Sequence, residues 1–502
     1  MLRNERQTHS GRDFGQRLYG HTMAQKSLFF SLPIELRLLV YKEVLLAKPC
    51  RDLQILRVCR DIYNEALPVL FKKPLKFRTH DDLYHWIQTV EPDCLELVTS
   101  VSLNLLSFRY NTLSRPNHYP LHSPDLFYGK DLPSLQNALR LLPNVQRFII
   151  YKSVPFLGTR FTYDYYLLFF PWLADRYPEL RCLTLFINWM PLDFLLQMRF
   201  LRSLRFTGFS TSSPTATLII FQSLKHLEEL EVFGPPPDIP RPALSLAYTG
   251  LGVSHEKSVT PELLLGIGPL KAFTICEIRD PCKTSGVFFC EEIIDALAQT
   301  HGSSLRSLKI SLDFLPSAGG RAALARLFSL ANTSIRHVEL GWPGLDVLTL
   351  DTLPHTLRSL QISCDYHFPP DDAAQKLVAQ KPVLPKLADV VLRSDWRTRP
   401  TGWPGGGIPA RGRGFGKDNM DAAVARLRSI GLDATSGWWH PIMFDDLGDD
   451  HDDGRPAQRA FGVNKESQEA KAGQSVNSLL TQKSIASLPF QGPGGSGTAS
   501  YY

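Results

Sequence analysis

Between Val98 and Leu392 the chain writes one pattern ten times: an apolar residue, two variable positions, a second apolar residue, one variable position and a third. The copies are Val98/Val101/Leu103, Val145/Phe148/Ile150, Leu180/Leu183/Leu185, Leu201/Leu204/Phe206, Leu227/Leu230/Val232, Leu270/Phe273/Ile275, Leu305/Leu308/Ile310, Ile335/Val338/Leu340, Leu357/Leu360/Ile362 and Leu387/Val390/Leu392. The last two apolar positions of each copy stand two residues apart, the period of a short strand with one buried face. Segments between copies carry the helical period instead. Cys290 to Ser304 places Ile293, Ile294, Leu297 and Ala298 on one side, and Gly320 to Thr333 does the same with Ala323, Leu324, Leu327 and Phe328. Ser134 to Leu142 and Asp371 to Gln380 repeat the idea. Strand, helix and strand in recurring order predict parallel strands with right-handed crossovers and helices on the convex side. Such units cannot bury their apolar faces alone, so they stack into a solenoid with an extended binding surface. An ordinary α/β domain with leucine-rich strands is the alternative.

The spacing resembles the leucine-rich repeat, whose core is Leu-x-x-Leu-x-Leu-x-x-Asn. Four copies hold a polar residue at the closing position, Asn188, Asp313, Asp365 and Asp395. Such side chains accept hydrogen bonds from backbone amides freed where a strand turns away. The mean step from Val98 to Leu387 is about 32 residues, longer than the roughly 20–29 of regular leucine-rich repeats. The repeats are therefore read as irregular.

A different pattern precedes the array. Ser31 and Pro33 suit a helix start, and the segment that follows presents Ile34, Leu38, Tyr41, Val44 and Leu45 on one side before Pro49. Asp52 is placed to cap a second helix carrying Ile55, Leu56, Cys59, Ile62, Tyr63, Ala66, Leu67 and Leu70. The two stripes predict a helical hairpin, and Asp81 to Val90 offers a third helix. Leu32-Pro33 with Glu35, then Val40 and Leu45, then Leu56-Arg57-Val58-Cys59-Arg60, resembles the F-box, whose hallmarks are Leu-Pro-x-Glu and a later Leu-x-x-Val-Cys-Lys/Arg. Ile62 to Phe71 is similar to the degenerate F-box-like domains of filamentous fungi. Ile62-Tyr63 stands where the F-box usually has a tryptophan. A plain helical cap on the solenoid is the other reading.

The resemblance implies an F-box-like protein with leucine-rich repeats, the substrate-recognition subunit of an SCF-type ubiquitin ligase. Leu32, Pro33, Ile34, Glu35, Leu36, Val58 and Cys59 would then engage a Skp-family adaptor of the cullin complex, and the solenoid would hold a target protein. A non-catalytic interaction scaffold whose cap does not bind the adaptor is the alternative, and an enzyme of unrecognised type is a third. On the solenoid, the position between the two inward apolar residues projects from the concave strand face. That row reads Thr184, Arg205, Glu231, Thr274, Lys309, Glu339, Gln361 and Val391. Mixed in charge and mostly polar, it suits a protein target better than a nucleic-acid groove, which needs clustered basic and aromatic residues.

Composition narrows the classes further. The chain has 502 residues, 43% of them apolar and 21% charged, with a formal charge of +6 that is mild for this length. No stretch reaches the roughly 20 apolar residues of a membrane span, and residues 1–26 lack the apolar core of a secretory signal. Eight cysteines without a C-x-x-C pair read as reduced thiols of a cytoplasmic or nuclear protein. No zinc, P-loop, nucleophile-elbow or kinase motif is present, so neither enzyme activity, nor a metal, nor a cofactor is expected. The acidic run from Asp445 to Asp453 lacks the closing glutamate of a calcium loop.

These readings give an α/β architecture in four parts. Residues 1–26 form a polar, disordered arm, 27–75 the F-box-like helical cap, and 76–397 the irregular solenoid with parallel strands. Residues 398–502 form a Gly/Pro-rich linker and a largely disordered tail, with one short helix near Asp421 to Ile430. Trp438-Trp439 is expected to dock on the last repeat. Segments 104–130 and 234–259 are rich in proline or aromatic residues and read as long loops.

Overall fold

The computed structural model describes residues 28–46, 53–105, 131–151, 159–187, 190–234, 256–277, 287–365, 367–395 and 417–439. Its strands are β1 (Leu75–Phe77), β2 (Ser100–Asn104), β3 (Arg147–Tyr151), β4 (Cys182–Phe186), β5 (Ser203–Phe206), β6 (Phe209–Ser210), β7 (Glu229–Phe233), β8 (Glu256–Lys257), β9 (Ala272–Glu277), β10 (Ser307–Leu312), β11 (His337–Gly341), β12 (Ser359–Cys364), β13 (Asp389–Asp395) and β14 (Asp433–Trp439). Twelve of them form one sheet in the order β1-β2-β3-β4-β5-β7-β9-β10-β11-β12-β13-β14. All its neighbours are parallel. The remaining two, β6 and β8, pair antiparallel as a small ribbon.

Each predicted triplet supplies one strand of this sheet, and register aligns them. Val101, Phe148, Leu183, Leu204, Leu230, Phe273, Leu308, Val338, Leu360 and Val390 are successive Cα partners. All are buried. A one-residue slip would turn this whole column to the opposite face, so burial fixes the register. Helices return the chain between strands: Leu132–Arg140, Thr159–Arg176, Pro214–Ser223, Pro261–Gly266, Glu291–His301, Ala318–Phe328, Val347–Asp351 and Pro370–Gln380. Ser213, Thr260, Ser317 and Asp346 start four of them by accepting an amide hydrogen bond three residues on.

The sheet extends beyond the ten triplets at both ends. β1 begins at Leu75, and the third predicted helix, α4 (His80–Thr89), follows it. Trp86 of α4 meets Phe71 and Phe77 with ring centroids at 6.2 and 5.6 Å, so α4 is anchored to the first strand of the array. At the other end, the short helix expected within the tail is present as Lys417–Ser429 and is followed by an unexpected strand, β14, which pairs along its whole length with β13. The backbone of Trp438 and Trp439 lies in that strand. The segment 234–259 contains β8, contrary to its reading as a loop throughout, while most of 104–130 and the acidic run lie outside the described residues.

Of the four closing polar residues, Asp365 shows the predicted chemistry in full. The residue is 1% exposed. Oδ1 accepts from the amides of His367 and Phe368, both at 2.8 Å, and Oδ2 from Gly344 in the previous repeat at 2.6 Å. Gly344 takes φ +70°, a conformation that favours glycine. Glu277, which the spacing did not single out, does the same work at the end of β9, accepting from the amides of Val287, Phe288 and Phe289. Asn188 and the Asp395 side chain lie outside the described residues. Asp365→Ala strands three amides and is expected to cost about 1–3 kcal/mol or more. Chemical denaturation checks this against exposed Asp372→Ala, expected within about 0.5 kcal/mol of the parent.

Candidate functional site

The N-terminal hairpin is built by α1 (Leu28–Ser31), α2 (Ile34–Leu46), a 3-10 turn at Leu53–Arg57 and α3 (Arg60–Leu70). Its core is Tyr41, Leu45, Leu56, Ile62, Ala66 and Val69, with Leu38 and Ile55 partly buried against them. Two sequence expectations change here. Ile34 leaves the predicted buried stripe and is 40% exposed. The second helix is split, because Cys59 adopts an extended conformation and starts α3, so Val58 and Cys59 occupy an exposed joint. Asp52, the predicted cap, lies outside the described residues.

An ionic hub braces the hairpin. The Arg37 guanidinium donates to both oxygens of Glu65, Nε to Oε2 at 2.9 Å and Nη2 to Oε1 at 2.7 Å. Tyr41 Oη donates to Glu65 Oε2 at 2.9 Å. These bonds, led by that from Arg37, hold the Glu65 carboxyl below its usual range. Burial and the bond to Glu65 push Tyr41 up to about 12. Arg37 also donates to the backbone carbonyl of Leu32, which ties the Leu-Pro-x-Glu turn to α3. Sequence reasoning missed this hub because its partners stand far apart in the chain.

Apart from the hub, the hairpin exposes several apolar side chains. Leu32, Pro33, Ile34, Glu35 and Leu36 are all exposed, as are Val58 and Cys59. Leu36, Leu39 and Val40 stand at i, i+3 and i+4, so they form one stripe along α2, with exposures of 47%, 56% and 38%. Val58 is 66% exposed. These aliphatic side chains are concentrated on the surface of one small hairpin rather than scattered singly. Leu39 adds to the predicted set.

The second predicted site, the strand-face row, is present in register but differs in chemistry. Thr184, Arg205, Glu231, Thr274, Lys309, Glu339, Gln361 and Val391 are successive cross-strand partners. Their charges face one another. Arg205 pairs with Glu231 at 3.3 Å, and Lys309 with Glu339 at 3.0 Å. The Arg205 guanidinium also lies over both rings of the touching pair Phe186 and Phe233, at 5.0 and 4.3 Å from their centroids, and the residue is 9% exposed. Arg205 is thus a stacked, largely desolvated part of the sheet, not an open charge awaiting a partner. The row presents a polar surface neutralised from within. The sequence shows that the row is mixed in charge, but the pairing across rungs and the two rings beside Arg205 appear only in the fold.

No family model matches the chain, and no curated protein matches it. Among solved structures, a chain of the Rad7 and Elc1 complex in yeast is similar. It is 13% identical with a TM-score of 0.32, covering 74% of this chain and 91% of that one. Among the described residues, no group of His, Cys, Asp and Glu is placed to hold a metal ion, and no helix is long and apolar enough to cross a membrane.

Proposed function

We propose that the chain is a recognition subunit of an SCF-type ubiquitin ligase, docking a Skp-family adaptor on its N-terminal hairpin and a target protein on its repeat array. One observation supports this reading above the others. Of the residues that carry the F-box resemblance, Leu32, Ile34, Leu36 and Val58 are exposed apolar side chains on a hairpin whose core is complete without them. A hairpin serving only as a cap would turn such residues toward the array. The subunit would carry out no bond chemistry, contributing proximity by holding a target lysine near a ubiquitin-charged enzyme.

The test is co-purification of the intact chain with the adaptor, compared with a Leu32→Asp/Leu36→Asp variant. Each leucine contributes roughly 1.5–3 kcal/mol when buried in an interface, so the double change is expected to abolish capture. The repeats should keep their thermal midpoint, since both side chains are exposed. Undiminished adaptor capture by the variant would remove the hairpin from the contact. No capture by the parent chain would leave the interaction scaffold as the reading.

A further inference from the structure

The rung just before each strand carries charge of one sign over much of the array. From β4 to β12 these residues are Arg181, Arg202, Glu228, Lys271, Arg306, Arg336 and Arg358. They are a continuous ladder. The amide of each donates to the carbonyl of the one before, at 2.8 Å or less. Adjacent strands are roughly 4.8 Å apart, so the ladder runs about 29 Å along the edge of the sheet where strands begin. All six cations are exposed. Glu228 is the one interruption, and Lys271 neutralises it through a 2.6 Å bond. That bond first, then the charges of Lys271, Arg202 and Arg306, hold the Glu228 carboxyl below its usual range. The cationic residues therefore stand on successive rungs of one exposed line.

A second feature shares this edge. Phe200 and His226, in the turns leading to β5 and β7, stack at 6.0 Å with ring planes 9° apart. Both are exposed, Phe200 to 52%. Arg199 and Lys225, also exposed, precede them. An exposed ring pair beside a line of cations has the make-up of a surface that tracks a phosphate backbone while a base stacks on the platform. An acidic protein segment would use the cations and leave the rings idle.

We infer that the strand-start edge, through Arg202, Arg306, Arg336 and Arg358 with the Phe200–His226 platform, binds a single-stranded polynucleotide. The polar strand-face row, which argues against a nucleic-acid groove, is a different row. The inference stands independently of the adaptor reading.

Fluorescence anisotropy of the full-length chain with labelled oligothymidylate and oligouridylate tests it, the two probes separating DNA from RNA. Neutralising three phosphate contacts lowers the slope of log K against log salt by about 2 on a single strand. Arg306→Gln/Arg336→Gln/Arg358→Gln is therefore expected to bind at least tenfold more weakly at about 50 mM salt and to lose most of its salt dependence. Lysine at the same three positions should retain the parental slope. Phe200→Ala should weaken binding roughly tenfold at unchanged slope. Arg326→Gln, on a helix and already paired with Glu291 and Asp295, should change nothing. No binding by the parent at low salt, an unchanged slope in the triple glutamine variant, tighter binding of a duplex, or equal competition by polyglutamate would each overturn the inference.

Discussion

Leu308→Ala is expected to lower the unfolding free energy by about 2–5 kcal/mol, the range for emptying a buried leucine site whose surroundings relax only in part. Leu308 is fully buried at the middle of the inward column, with Phe273 and Val338 as its cross-strand partners. Because each repeat is stabilised mainly by its two neighbours, the damage should spread unevenly. Hydrogen exchange in the variant should quicken first in β9, β10 and β11, with β2 and β3 least affected. Leu348→Ala is the matched control, since that side chain is 71% exposed; its cost should stay within about 0.5 kcal/mol. A core variant that matches this control, or exchange that quickens uniformly, would contradict a repeat array stabilised layer by layer.

Acidification is expected to destabilise the fold well before the carboxylates titrate. His301 is fully buried and bonded in one tautomer, Nδ1 accepting from the Leu270 amide at 3.1 Å and Nε2 donating to the Leu264 carbonyl at 2.9 Å. A proton on Nδ1 would break the first bond, and burial holds the pKa below its ordinary value. His80 at the start of α4 is pushed down to about 4, again by burial foremost. Since both values are depressed on folding, the unfolded chain binds more protons below about pH 6.5, and stability falls as pH drops through that point. At about 1.4 kcal/mol per pH unit, His80 alone removes about 2 kcal/mol by pH 5, with His301 acting in the same direction. Glu277 opposes them, because burial raises its carboxyl pKa and favours the folded state as that group protonates. Its effect belongs to the range above the usual carboxylate value and only softens the loss. Denaturation midpoints at pH 7.5, 6 and 5 should decline steadily, and His80→Gln should flatten the decline. Midpoints that hold level over this range would show that neither imidazole is buried as described.

The strands and their register were legible because the signal is local and repeats in every layer. Two apolar residues two apart, with a third before them, suffice to mark a strand that buries one face. Failure at the ends has the same origin. In β14 the inward positions opposite Val390 and Leu392 are Ala434 and Ser436, because a terminal strand has only one neighbouring strand to cover. No leucine triplet marks it. β1 keeps Leu75 and Phe77 opposite Val101 and Leu103, but has Lys72 where the first apolar residue would stand.

The sequence by itself determined the repeat, the inward column, the strand-face row and the hairpin residues that resemble an F-box. Each is written in spacing along a few neighbouring positions. The tertiary structure alone decided how charges are spent. It closed Arg205 and Lys309 against Glu231 and Glu339, set Arg205 over a pair of touching rings, and joined Arg37 to Glu65 across the hairpin. It also left Leu36, Leu39 and Val40 without a core to enter, and lined up the arginines before the strands. The physical reason is distance. Apolar burial follows a period that any short window of residues reveals, whereas an ion pair, a stacked ring or a row of like charges exists only after segments tens of residues apart have been brought side by side.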